Sequence, residues 1–296
     1  MDYSHSFSPA RFADAGSTGM APETLIFGVP FDGTTTFRPG ARFGPGAIRA
    51  MSYNFESYLP DFGLDLDGIP FSDLGDIEPS SVPELVVEEV RDTAMSIAGE
   101  GAVPVMLGGE HSITTGAVEA CRPDCVVICD AHLDLRDEMG GTRHSHACTT
   151  RRIADLGVET IIHIGARSGT RDQFGYADDH LCWYSSDTVA RRGIHAVLDE
   201  ITLLLRDRRV YLSIDADAID CCLTPGVGNP EPFGLTPGDV REVCSACAPF
   251  VAGMDYVEVC PIDSGQTAAV AAAIIRTFLA ARHASLHGDG MQNTPE

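Results

Sequence analysis

Six near-continuous apolar runs punctuate the chain: LIFGVP (25–30), AVPVMLGG (102–109), CVVICDA (125–131), TIIHIGA (160–166), VYLSIDAD (210–217) and DYVEVC (255–260). Strands that alternate apolar and polar residues bury one face. Runs like these, without alternation, are expected of strands covered on both faces. Helical patterns fill the intervals, at 83–98, 112–120, 148–157, 187–206, 237–247 and 265–282. Thr236-Pro237 supplies an N-cap with proline at the first helical position, followed by acids in the first turn. Such βα alternation predicts an α/β fold with a mostly parallel sheet between helical layers. No repeat, low-complexity tract or linker divides the 296 residues, so the expectation is one domain over 1–296. Roughly 20 residues at the start and about 10 polar residues at the end (HGDGMQNTPE) are expected to fray.

Charge narrows the partners. Forty-three acidic residues face 20 basic ones, all arginine, for a formal charge of −23. That balance argues against non-specific binding to nucleic acid or to anionic membranes. It suits a cationic substrate, although the acids are spread along the chain. It also suits a halophilic source, where molar salt shrinks the Debye length to about 3 Å. The N-terminal MDYSHSFSPARF lacks the basic and apolar regions of a signal peptide. The ten cysteines, mostly inside expected strands and helices, read as reduced thiols of a cytoplasmic protein. Cys244 and Cys247 read as helix packing, having no second pair at zinc-finger spacing. The run AAVAAAII (268–275) is too short to span a bilayer.

In parallel sheets, ligands collect outside the carboxyl ends of the strands. Four of the runs end in chemistry-bearing residues. Glu110-His111 follows VPVMLGG, Asp130-Ala-His132-Leu-Asp134 follows CVVIC, Asp215-Ala-Asp217 follows VYLSI, and Glu258 sits within DYVEVC. At strand spacing, Asp130, His132 and Asp134 point to one face. If the strands are parallel neighbours, one crevice receives His111, Asp130, His132, Asp134, Asp215, Asp217 and Glu258. Four or five carboxylates at close range cannot all stay ionised without compensating cations. Two divalent ions would supply them, and O and N donors without thiolate suit Mn²⁺ or Mg²⁺. Paired ions of this kind make a hydrolytic nucleophile from water at neutral pH. Alone, each motif has a plainer reading, as a solvated loop or a strand-to-helix turn. Their joint placement at strand exits favours the metal site.

The set GGEHSIT, DAHLDLRDEMGGTRHSHA, LSIDADAID…TPGVGNPEPFGLT and DYVEVCPID resembles the ureohydrolase (arginase–agmatinase) family. The likeness covers about residues 22–283, and GVPFDGTTTFRPGARFGPGAIR (28–49) resembles its agmatinase branch. It implies a three-layer αβα sandwich around a parallel sheet of eight strands, and two Mn²⁺ per subunit that hydrolyse a guanidinium group to urea and an amine. Carried over, His111, Asp130, Asp134 and Asp215 would serve one ion, and Asp130, His132, Asp215 and Asp217 the other. His146, in Ser145-His146-Ala147, matches the proton shuttle, and Glu258 the guanidinium-binding carboxylate. Arg167 matches a supporting residue, and His144 is read as an ordinary loop residue.

Three departures stand out. Cys148 replaces the usual Thr, which puts that loop's hydrogen bonding in question. Cys260 replaces Asn. Asp220-Cys221-Cys222 stands where relatives have Asp-Pro, which should loosen a turn beside Asp217. The expected substrate is agmatine, yielding putrescine and urea, and the expected assembly a homo-oligomer, trimer or hexamer. Arginase, aminopropylagmatine ureohydrolase and guanidino-acid hydrolase are alternatives within the family. A metal-dependent deacetylase of related fold lacks the VEV glutamate and is built around a different ligand set. A metal-binding protein with an inactive site would need a missing ligand, and none is missing.

Overall fold

All six apolar runs become strands, and two further strands complete the sheet. The computed structural model describes residues 11–288. In chain order it runs β1 (Thr24–Gly28), α1 (Gly44–Ser52), a short hairpin of β2 (Tyr58–Leu59) and β3 (Leu64–Asp65), β4 (Phe71–Asp76), α2 (Pro83–Gly99) and β5 (Val103–Leu107). Next come α3 (Thr114–Cys121), β6 (Cys125–Cys129), α4 (Thr149–Asp155), β7 (Thr160–Ala166), α5 (Arg171–His180) and β8 (Cys182–Ser185). The chain closes with α6 (Ser186–Arg192), α7 (Ile194–Leu205), β9 (Val210–Asp215), α8 (Pro237–Cys247), β10 (Val251–Val257) and α9 (Gln266–His287).

The sheet has eight strands in the order β4-β1-β5-β10-β9-β6-β7-β8, and each neighbouring pair is parallel. Helices cover both faces, giving the three layers. One apolar core holds Val105, Val127, Leu212 and Met254 against α7, α8 and α9. The other holds Phe27, Met106, Ile128 and Tyr211 against α2 and α3. Period-2 strands send alternate residues to these two cores, so both faces must be apolar.

The connection from β5 to β6 passes over two positions, later filled by β9 and β10. This leaves β5, β10, β9 and β6 adjacent in the middle of the sheet, at a reversal of strand order where ligands bind in open α/β sheets. Register aligns their ends: Tyr256 sits beside Leu107, Val257 beside Asp215, and Ile214 beside Cys129.

Several expectations change in detail. The helix expected over 187–206 is two, broken at Gly193 with φ +79°, a conformation glycine adopts without steric cost. The last strand runs from Val251 to Val257, starting and ending earlier than DYVEVC, so Glu258 lies just beyond it and not within it. Fraying expected at 1–10 and 289–296 falls outside the described residues, but residues 11–20 are anchored. Phe12 is buried, its N–H donates to Asp73 Oδ2 at 2.6 Å, and Gly16 N–H donates to Phe71 O at 2.8 Å.

The final helix runs to His287, past the expected 282, and its 22 residues are long and apolar enough to cross a bilayer by composition alone. Here it packs into the core through Ala268, Ala271, Ile275 and Phe278. Buried Arg276 at its middle donates to the carbonyls of Glu56 and Ser57. Cys244 and Cys247 are buried on α8, and all ten cysteines are free thiols.

Candidate metal centre

The four central strands deliver their terminal residues to one crevice. Asp130 is fully buried, with His111, Asp215, Asp217, Asp134 and Glu258 buried around it and His132 half-buried. His111 Nδ1 lies 3.0 Å from Asp130 Oδ2, 3.3 Å from Asp215 Oδ2 and 3.4 Å from Asp134 Oδ2. His132 Nδ1 lies 2.9 Å from Asp217 Oδ2 and 3.7 Å from Asp130 Oδ1. Two donor groups result, His111–Asp130–Asp215 and Asp130–His132–Asp217, sharing Asp130.

Backbone amides hold the carboxylates in place. His132 N–H donates to Asp130 Oδ1 at 2.6 Å, Asp217 N–H to Asp215 Oδ1 at 2.8 Å, and Ala131 N–H to Asp217 Oδ1 at 3.1 Å. The second oxygens of Asp130 and Asp215 are thereby aimed at His111. Asp134 takes φ +48° and Glu258 φ +61°. Positive φ is uncommon for such residues, and strain of this kind collects at functional sites.

The tautomer of His111 is fixed from behind. Ser213 Oγ donates to Asp255 Oδ1 at 2.6 Å and so accepts from His111 Nε2–H at 3.0 Å. Tyr211 Oη donates to the other Asp255 oxygen at 2.7 Å. With one proton on Nε2, the ring in its neutral form presents a bare lone pair at Nδ1. Although Nδ1 and Asp130 Oδ2 are only 3.0 Å apart, both are buried without a hydrogen-bond partner. A buried imidazole nitrogen and carboxylate oxygen that converge without another partner must share a cation, either a proton or a metal ion. Behind His132, His163 Nε2 lies 2.9 Å from the His132 carbonyl oxygen.

Charge gives the same answer. Burial pushes the carboxyls of Asp134, Asp215 and Asp217 up, and neighbouring carboxylates push them further. Asp130 alone is held low, its burial outweighed by His111 and His132. The same carboxylates push the imidazoles of His111 and His132 up, and divalent ions would supply the positive charge that those imidazoliums otherwise give. The residues present therefore fit a pair of hard or borderline divalent ions: four carboxylates, two imidazoles and no thiolate.

Beside the cluster stand the two substrate-facing candidates. His146 Nδ1 lies 3.4 Å from Glu258 Oε1, and His146 Nε2 lies 3.2 Å from Thr36 Oγ1. Burial opposes protonation of His146, but Glu258 outweighs it and lifts the imidazole to about 9. Glu258 Oε1 also accepts His111 N–H at 2.8 Å, tying it to the metal group.

Sequence reasoning missed what sets His146. Buried Glu110 accepts from Thr34 Oγ1 at 2.5 Å, Thr34 N–H at 2.7 Å and Ser112 Oγ at 2.6 Å, and Thr34 Oγ1 accepts His146 N–H at 2.9 Å. The loop after β1 can reach Glu110 because a Cβ at Gly109 would lie 1.8 Å from Phe31 O. Ser213 was also missed, though a hydroxyl two residues before Asp215 in an otherwise apolar strand is a readable signal.

The departures have local compensation. Thr149 Oγ1 donates to His146 O at 3.0 Å beside buried Cys148, so a neighbouring hydroxyl serves that loop. Cys260 Sγ packs under Gly40, where a Cβ would come within 2.6 Å of it. The turn at Asp220 is not loosened: its carboxylate accepts from Cys222 N–H at 2.8 Å and Gly234 N–H at 2.9 Å. Arg167 donates to the carbonyls of Gly165, Asp217, Ala218, Glu231 and Pro232, bracing the backbone under Asp217. His144 meets none of the cluster's side chains among these contacts.

A cavity of about 320 Å³ opens over the cluster, lined by Thr36, His132, Asp134, Arg136, His146 and Asn229 among others. An adjoining one shares Arg136, Thr170 and Gln173 with it and adds Asp137, Glu138 and Asp172.

Residues 22–281 match the model of the arginase family. The chain belongs to that family. Its relatives place it on the agmatinase side. The N(1)-aminopropylagmatine ureohydrolase of Thermococcus kodakarensis is 40% identical over 84% of this chain and 86% of its own. The agmatinase of Pyrococcus horikoshii is 38% identical over 84% and 88%. The crystal structure of the agmatine ureohydrolase of Thermoplasma volcanium superposes with a TM-score of 0.86 at 40% identity, covering 93% of this chain and 95% of that one. The family's ureohydrolase chemistry makes this chain an enzyme.

Proposed function

We propose that this ureohydrolase cleaves the guanidinium group of agmatine, giving putrescine and urea, with two Mn²⁺ per subunit. His111, Asp130, Asp134 and Asp215 would hold one ion, and Asp130, His132, Asp215 and Asp217 the other. When bound, the ions neutralise the buried carboxylates and activate water as a nucleophile. Glu258 pairs with the substrate guanidinium and orients it, a charge-assisted contact in a nearly dry site. His146, its imidazole raised by Glu258, carries protons toward Glu258 Oε1 and Thr36 Oγ1 and passes one to the departing amine nitrogen. Water supplies the oxygen, the C–N bond to the chain breaks, and the products are urea and an ammonium.

The observation that carries this reading is the orphaned pair His111 Nδ1 and Asp130 Oδ2 beside the His146–Glu258 couple. The adjoining cavity is mixed in charge, with Asp137, Glu138 and Asp172 set against Arg136 and Arg151. One observation favours a second reading: Arg136 lines the pocket and would complement a carboxylate, as in arginine or a guanidino acid. Urea release from agmatine, aminopropylagmatine, arginine and guanidinobutyrate separates them. Agmatine is expected to give the highest kcat/KM, and preference for a guanidino acid would overturn the assignment.

A cytoplasmic setting is supported by ten free thiols, and a halophilic one by the charge of −23. A homo-oligomer is supported by large apolar side chains left exposed, such as Phe37, Phe43 and Phe233.

A further inference from the structure

At the end of the sheet opposite the crevice, Glu23 immediately precedes β1 and meets the last turns of α9. Its Oε2 lies 2.9 Å from His283 Nδ1 and its Oε1 2.6 Å from His287 Nε2. We propose that Glu23, His283 and His287 form a second metal site, for one divalent transition-metal ion of the zinc class.

The spacing is the first argument. His283 and His287 are four residues apart, on one face of a helix, with ring centroids 4.4 Å apart. One potential donor atom from each of the three residues lies within 4.8 Å of the others. Zinc bonds of about 2.0–2.2 Å set neighbouring donors roughly 3–3.5 Å apart, so a small opening of the two Glu–His contacts admits an ion.

Rigidity is the second. Glu23 N–H donates to Pro70 O at 2.7 Å, and its carbonyl accepts Val103 N–H at 2.9 Å. The turn bearing His287 is closed by Gly288 N–H donating to Ala284 O at 3.1 Å. The backbone that carries the donors is therefore held in place on both elements before any ion arrives.

Ligand chemistry is the third. The central cluster is carboxylate-rich, whereas here two imidazoles outnumber one carboxylate, which shifts preference from manganese toward zinc. The side chains of Glu23, His283 and His287 are 20%, 16% and 48% exposed, so an ion can reach them and keep water as a further ligand. Arg282, the nearby cation, is engaged with the carbonyls of Ala248 and Pro249. Binding would release the protons shared between Glu23 and the imidazoles and join the first strand of the sheet to the last helix. An ion that binds only the folded chain stabilises it by mass action.

The test uses the full chain loaded with Mn²⁺, exposed to micromolar ZnCl₂, desalted, and assayed for both elements and for Tm. The expected result is one zinc per chain added to an unchanged manganese content, with a higher Tm. His287→Gln and, separately, Glu23→Gln should lose that zinc and the Tm gain while keeping manganese. Zinc retained equally by both variants would overturn the proposal. So would zinc gained only as manganese is lost, or no zinc retained at all. Because the readout is the zinc that depends on His287, it stands apart from whether the central cluster holds manganese.

Discussion

At the residue scale, labour is divided between six ligand candidates and two residues, His146 and Glu258, proposed to meet the substrate. His146→Ala should leave bound metal and KM nearly unchanged while kcat falls about 10²–10⁴-fold, the range for losing a general acid. Steady-state kinetics with elemental analysis checks both halves. With the imidazolium as the proposed proton donor, kcat should hold below the raised value of about 9 and decline as pH rises through it. Glu258→Gln removes the carboxylate that raises His146, and its alkaline limb should move to lower pH in a kcat–pH profile. Ser213→Ala leaves His111 Nε2 without its buried partner. Metal affinity should drop by about 10–100-fold, as for other supports of a ligand histidine, measured by chelator competition. Such supports were hard to read in the sequence, because nothing local links Ser213 to His111, 102 positions away. The ligand candidates were legible because strand periodicity and an abrupt polar exit mark them within a few residues.

At the element scale, the central strands were legible and the edges were not. β4 alternates buried and half-buried residues and carries Asp73 and Asp76, while β8 has four residues. An edge strand has one neighbour and less cover, so it lacks the continuous apolar run that betrays a central one. The polar residues of β4 have a structural use. Arg49 of α1 is buried, with Nε 2.8 Å and Nη2 2.9 Å from the Asp73 carboxylate and Nη1 on Asp76. Asp73 also accepts the N–H groups of Phe12 and Gly75. Arg49→Ala would leave that carboxylate buried without its cation, and stability should fall by about 3–5 kcal/mol. Urea denaturation reads it as a lower midpoint, and an unchanged midpoint would deny the pair its role. The single helix expected over 187–206 was misread for a related reason: one glycine in an otherwise helical pattern is a weak signal until its φ is known.

For the whole molecule, the parallel order of the four middle strands turns separate motifs into one site. That adjacency follows from the crossover between β5 and β6, which sequence periodicity does not encode; the eight-stranded arrangement came from the family resemblance. The surface makes a separate prediction. With 43 acidic residues against 20 arginines, self-repulsion is screened only at high ionic strength. Tm and urea release should both rise as KCl is taken from dilute buffer to molar concentration, and full stability in dilute buffer would remove the halophilic reading.

The proposed hydrolysis needs two divalent ions in the buried cluster. The direct measurement strips the full chain with chelator and follows urea release from agmatine as Mn²⁺ is returned. Almost no activity is expected at zero metal, with a rise to a plateau near two ions per chain and no recovery in Asp130→Asn at matched metal. Full-rate urea release from the metal-free chain would contradict it.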